Sequence, residues 1–258
     1  MRWLWDGARR DPAPGLLEDL ERAYRQGVGW VDEQLEATLQ TLQSNGALEN
    51  TLLIVTSDHG EAFGEHGMLL HGRRLDDELL RVPLVIWGPA PFDRPAVVEG
   101  GVGLTDVVPT VLDLLDAPVP HGVDGRSILP LLNAGAEGRL VEAEVHRWES
   151  HTEGLSRALV GSVRTPAWKF VATCDLDARR VREELFDLAA DPAELHDLAS
   201  PEGVVPAVPG DAAFAAAVER VRDRVWGALP KQRGGPAGSE PGSETPARPA
   251  ARRAARER

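Results

Sequence analysis

The sequence predicts an α/β fold: buried strands and helices, then a small α+β subdomain and a disordered tail. Two short runs, residues 52–55 (LLIV) and 82–87 (VPLVIW), are apolar almost throughout. A strand that is apolar at successive positions, not alternating ones, reads as buried on both faces, as in the centre of an α/β sheet. A long helical pattern precedes the first run, and helix, tight turn, buried strand is half of a βαβ unit. After about Gly138 the texture changes to short strands of antiparallel type and one amphipathic helix.

Taken in order, residues 1–15 hold Pro12, Pro14 and Gly15 without periodicity and read as loop. From Leu16 the apolar residues Leu20, Tyr24, Val28, Val31, Leu35, Leu39 and Leu42 recur at steps of three and four, the stripe of a long helix. Asn45-Gly46 supplies a left-handed stop. Gly27 and Gly29 weaken the middle of the helix and allow a break there. Residues 64–77 form a loop rich in histidine, glycine and charge. The second strand has Pro83 near its start, where a missing donor is tolerated. Residues 105–115 read as a helix with Asp106 as N-cap and Pro109 in the first turn, and 127–132 as a short helical turn. Strands follow at 140–145, 157–163, 168–173 and 184–188. A helix over 211–229 carries Phe214, Val218, Val221, Val225 and Trp226. Beyond Pro230 the chain is Gly, Pro, Ser, Ala and Arg without large apolar residues, a composition that stays disordered. The expected domains are therefore 1–137 (α/β core), 138–229 (antiparallel sheet plus helix) and 230–258 (tail).

The formal charge of −13 over 258 residues argues against a nucleic-acid partner, which needs a basic field. It leaves an anionic small substrate open, since a bound cation can dominate the local field. No run approaches the apolar length of a membrane span. The first residues lack a signal-peptide pattern, so a cytoplasmic location is the default expectation. One cysteine, Cys174, excludes an internal disulfide and a cysteine-based zinc site.

The chemistry gathers at residues 51–65, TLLIVTSDHGEAFGE. Asp58 and His59 fall just past the carboxyl end of the first strand, the edge at which α/β sheets bind ligands. An acid beside an imidazole, followed by a glycine that permits a tight turn, is a plausible half of a metal site.

Residues 56–89, TSDHGEAFGEHGMLLHGRRLDDELLRVPLVIWGP, resemble the second conserved block of the sulfatases, in the alkaline-phosphatase-like superfamily. The likeness extends through the preceding helix and strand and through 106–132 with its Gly125-Arg126-Ser127-Ile128 motif. It continues through VRTPAWKFV and ELFDLAADPAELHDLA, which are similar to the family's small C-terminal subdomain. It implies the C-terminal half of the fold: half of a mixed sheet flanked by helices, followed by the small α+β subdomain. The family's first acidic pair and its Cys/Ser-x-Pro-x-Arg nucleophile motif do not occur here, and Cys174 has the wrong context for it. The isolated chain is accordingly expected to be inactive.

The resemblance implies that Asp58 and His59 help bind a divalent cation. Calcium is the first expectation by family precedent, and manganese or zinc are alternatives that imidazole ligation also suits. His71 stands where many sulfatases place a substrate-contacting lysine, and is the candidate catalytic residue, as hydrogen-bond donor or general acid. Glu61 is expected to orient His59. Glu65 and His66 are expected to shape their loop. No organic cofactor site is expected. The implied activity is hydrolysis of small-molecule sulfate esters. A phosphodiester or phosphonate monoester hydrolase and a non-catalytic remnant are the alternatives.

Overall fold

The computed structural model describes residues 13–98, 101–132, 139–151, 154–200, 203, 205, 208–210 and 212–229; the side chains of 147–151 and 154–156 are outside this description. The expected boundary at 137–138 and the expected tail beyond Pro230 lie outside the described residues. The chain divides into two compact units. One runs to His71 and resumes over Asp76–Val97; the other comprises Gly72–Leu75 and the chain from Val98 onward.

The first unit opens with helix α1, Leu16–Ser44, unbroken through Gly27 and Gly29. It ends as expected at Asn45-Gly46, with Gly46 left-handed at φ 72 and Asn45 Oδ1 accepting the Ala47 N–H. Strand β1 (Leu53–Thr56) follows. A small ribbon comes next, β2 (Ala62–Phe63) paired with β3 (Leu69–Leu70), then the one-turn helix α2 (Asp77–Leu80) and β4 (Leu84–Trp87). Strands β1 and β4 pair antiparallel, Leu53 opposite Trp87 and Val55 opposite Val85. The helix, turn and strand are thus where the pattern put them, the half of a βαβ unit that it predicts, and no parallel strand to complete the unit occurs among the described residues. Nor are the strands buried on both faces. No β1 residue is buried, Thr56 is exposed, and Val85 and Trp87 of β4 are exposed.

The second unit begins with helix α3, Val107–Leu114, whose N-cap position is Asp106 and whose first turn holds the buried Pro109. Asp106 does not cap its own helix. Its carboxylate accepts the N–H of Gly103 and the N–H of Arg126, tying the 125–128 segment to the helix start. Four antiparallel strands follow in meander order: β5 (Val141–His151), β6 (Gly154–Arg164), β7 (Trp168–Asp175) and β8 (Arg180–Asp187). Helix α4, Ala212–Gly227, lies on this sheet with Phe214, Ala217, Val218, Val221 and Val225 buried. At Gly161 of β6 the two approach closely: a Cβ there would stand 2.9 Å from Val221 Cγ1. Two buried ion pairs accompany the apolar core. Lys169 Nζ donates to both Glu194 oxygens at 2.7 and 2.9 Å. Arg222 grips Glu183 in a two-pronged pair at 2.9 and 2.8 Å and donates to the Val205 carbonyl.

Candidate active site

Asp58 and His59 leave the end of β1 on a turn held by side chain to backbone bonds. Ser57 Oγ donates to the His59 carbonyl at 2.8 Å, and Thr56 Oγ1 to the Pro83 carbonyl at 2.8 Å. His59 Nδ1 donates to the Gly60 carbonyl at 2.8 Å. That bond leaves Nε2 as the lone-pair nitrogen of the neutral ring, the form that ligates metals. Nε2 faces Asp58 Oδ2 at 3.8 Å, with the Asp58 side chain open to solvent. A carboxylate oxygen and an imidazole nitrogen converging from adjacent residues fit as two ligands of a divalent cation.

His71 stacks on His59, ring centroids 4.0 Å apart and planes inclined by 30°. The ribbon brings it there. Ala62 pairs with Leu70 and Phe63 with Leu69, so one step further on the same register Glu61 and His71 stand opposite each other. His71 Nδ1 donates to the Glu61 carboxylate at 3.2 Å. The expected orienting role of Glu61 is therefore corrected: it holds His71, while the Gly60 carbonyl holds His59. Asp58, His59 and His71 belong to one cluster.

Gly60 serves a different purpose from the turn expected of it. Its N–H donates to the Leu79 carbonyl at 2.8 Å, and a Cβ there would lie 1.9 Å from the Glu78 carbonyl oxygen. Only glycine permits that backbone approach. The same α2 segment anchors His66, whose Nδ1 donates to Glu78 Oε1 at 2.8 Å and lies 3.8 Å from the buried Asp76 Oδ2. His66, Asp76 and Glu78 form a second set of metal-type donors. The direct His66–Glu78 bond accounts for their arrangement, and it pins the loop as expected for His66. Sequence reading missed Asp76 and Glu78, because only the loop's return onto α2 joins residues ten and twelve positions apart.

Two family profiles match the chain: "Sulfatase" over residues 8–117 and "N-sulphoglucosamine sulphohydrolase, C-terminal" over residues 64–206. The choline-sulfatase of Rhizobium meliloti (strain 1021) is 33% identical over 193 residues, covering 71% of this chain and 34% of that protein. A putative sulfatase from Bacteroides thetaiotaomicron VPI-5482 superposes with a TM-score of 0.66 at 23% identity, over 86% of this chain and 45% of that one. A structure described as bound to its substrate D-glucosamine-2-N,6-O-disulfate superposes at 0.52 with 26% identity, over 77% of this chain and 38% of that one. The chain belongs to the sulfatase family, with the alkaline-phosphatase-like fold. It spans about a third of the length of the curated relatives it matches. Among the described residues no helix is long and apolar enough to cross a membrane.

Proposed function

We propose that this chain contributes part of the active site of a metal-dependent sulfate ester hydrolase: two cation ligands, Asp58 and His59, and the acid His71. The observation that carries the reading is the His59–His71 stack beside Asp58, which gathers cation ligands and a proton donor at one strand end. A bound divalent cation supplies Lewis-acid polarisation of the ester's non-bridging oxygens.

Asp58 offers a charged oxygen and His59 its Nε2, while the Gly60 carbonyl holds the ring in that tautomer. Because Glu61 takes the Nδ1 proton bond of His71, His71 presents a proton from Nε2 only as the imidazolium. Its role is accordingly donation to the leaving-group oxygen in the charged form, where a general acid is worth roughly 10²–10⁴-fold. The nucleophile and the first acidic pair of the family are absent from these residues, so turnover requires them from elsewhere in the complete site.

Metal content and turnover of the complete enzyme test the reading. Asp58→Ala should release the cation; unchanged metal content defeats the assignment. His71→Ala should slow an aryl sulfate with a poor leaving group more than one with a good leaving group, and an unaltered rate would leave His71 as a loop residue. Side-by-side hydrolysis of aryl sulfate and aryl phosphonate separates the sulfatase from the phosphonate monoester hydrolase. No turnover by the metal-loaded complete protein would favour the non-catalytic reading.

A further inference from the structure

The second unit carries a groove that the chemistry at Asp58 does not use. It measures about 660 Å³ and lies between the end of the β7–β8 pair and residues 197–200 and 203. That volume is in the range of small-molecule sites and exceeds what a bare ion fills. The strand register places four of its side chains together. Arg182 stands opposite Thr173, and Arg180 opposite Asp175. Cross-strand partners, and positions two apart on one strand, share a face of the sheet. Asp197 supplies the other charged side chain of the lining.

Two arginines and two carboxylates balance formally, so what the groove offers depends on which groups are already engaged. The carboxylates are bound to backbone. Asp175 Oδ1 accepts the N–H groups of Asp177 and Ala178 at 3.0 and 2.7 Å. Asp197 Oδ1 accepts those of Leu185 and Ala199 at 3.1 and 2.9 Å. The donors are open. Arg180 is exposed, and its guanidinium has no partner among the described residues although Asp175 stands across the ladder from it. Arg182 is held loosely, 3.4 Å from both Glu184 Oε1 and Asp197 Oδ2. The Thr173 hydroxyl, beside Arg182, has no partner among the described residues either. Among the described residues no aromatic side chain lines the groove, so its walls suit a hydrophilic body.

We propose that this groove binds an oxyanion carried on a hydrophilic small molecule, the chemistry of a sulfated or carboxylated sugar. Arg180 and Arg182 hold the oxyanion by charge-assisted hydrogen bonds, which guanidinium groups make to sulfate and carboxylate alike. Thr173 donates to it from the neighbouring strand. None of these residues belongs to the proposed catalytic cluster, so the site stands whether or not that cluster turns over.

Titration of the 258-residue chain, followed by its arginine Nε–H resonances, tests the proposal. EDTA is present throughout, so that no divalent cation recruits the ligand at Asp58. The probes are glucose 6-sulfate, glucuronate, glucose and inorganic sulfate. The Arg180 and Arg182 signals should shift saturably with glucose 6-sulfate or glucuronate, and the tighter of the two identifies the oxyanion. Arg180→Ala, at an exposed position without a partner, should weaken that binding about tenfold or more, the scale of one charged hydrogen bond. Thr173→Val keeps the side-chain shape and removes the hydroxyl, and should weaken it by a smaller factor. Arg94→Ala removes an equal charge from an exposed position in the first unit and should leave the affinity unchanged. Circular dichroism checks that each variant is folded. Absence of shifts, or an Arg180→Ala protein that binds as the parent does, overturns the proposal. So does equal weakening by Arg94→Ala, which would make the effect one of net charge. Equal binding of glucose would remove the oxyanion from the site, and inorganic sulfate bound as tightly as either sugar would reduce the groove to a bare-ion contact; both overturn it.

Discussion

Helices α1 and α4 are both amphipathic in sequence, yet they end in opposite states. The shorter, α4, buries five apolar side chains and Arg222 against a four-stranded sheet. The longer, α1, buries nothing. The units that hold them differ in the same way. In the second unit Phe170, Val163, Ala172, Cys174 and Val218 are sealed from solvent in one apolar cluster. In the first, the buried apolar side chains among the described residues are Ala62, Leu79 and Phe92. The difference is not one of hydrophobicity. An apolar stripe is stabilising only where a complementary surface meets it, at about 25 cal/mol per Å² removed from water. The second unit supplies both surfaces from its own chain, while the first leaves Val28 and Val31 of α1 exposed.

The largest test of this contrast lies in the second unit. Lys169→Ala removes one member of an ion pair whose two partners are almost wholly enclosed. Removing one member of a buried pair should cost about 3–5 kcal/mol, read as a fall in the urea midpoint; a midpoint unchanged from the parent would mean that the pair is open to water. Next comes Gly161→Val. Its Cβ meets Val221 and Val225 at 2.9 and 3.2 Å, and overpacking should destabilise by about 1–3 kcal/mol. Equal stability would show that α4 can retreat from the sheet.

A matched pair of smaller changes sharpens the comparison. Val218→Ala, at a fully buried position, should cost about 2 kcal/mol. Val31→Ala, the same chemical change on α1, should cost less than about 0.5 kcal/mol in the isolated chain. Equal losses would contradict the claim that α1 is uncovered. The smallest effect at neutral pH concerns Cys174. Burial, with the Asp175 charge adding to it, raises its thiol to about 11. The folded state therefore favours the neutral thiol. Stability from this group is intact below the unfolded pKa near 9 and declines as pH rises from there toward 11. The native protein should react with a disulfide reagent at pH 8 only as fast as it unfolds, and prompt labelling would show that the core opens locally.

Much of this was legible in the sequence because its signals are local. The stripe from Leu20 to Leu42, the stop at Asn45-Gly46, the position of Pro109 in the first turn of α3 and the four strands after Gly138 are set by periodicity and by residues whose backbone preferences are narrow. The likeness to the sulfatases, carried by the order and spacing of its motifs, was legible too, and it singled out Asp58, His59 and His71. What each residue touches was not. That Glu61 holds His71 follows from the register of a two-residue ribbon. That Gly60 is needed for clearance follows from where α2 returns, and that Asp106 ties down the Arg126 backbone follows from a contact across 20 positions. The burial of β1 and β4 went the same way. Their continuous apolarity predicts burial on both faces, while in the structure neither strand is fully covered. The sequence by itself determined the elements and the chemical types at the site, because those depend on neighbours along the chain. Only the tertiary structure decided which apolar faces are satisfied and which side chains meet, because burial and hydrogen bonding depend on surfaces brought together from a distance.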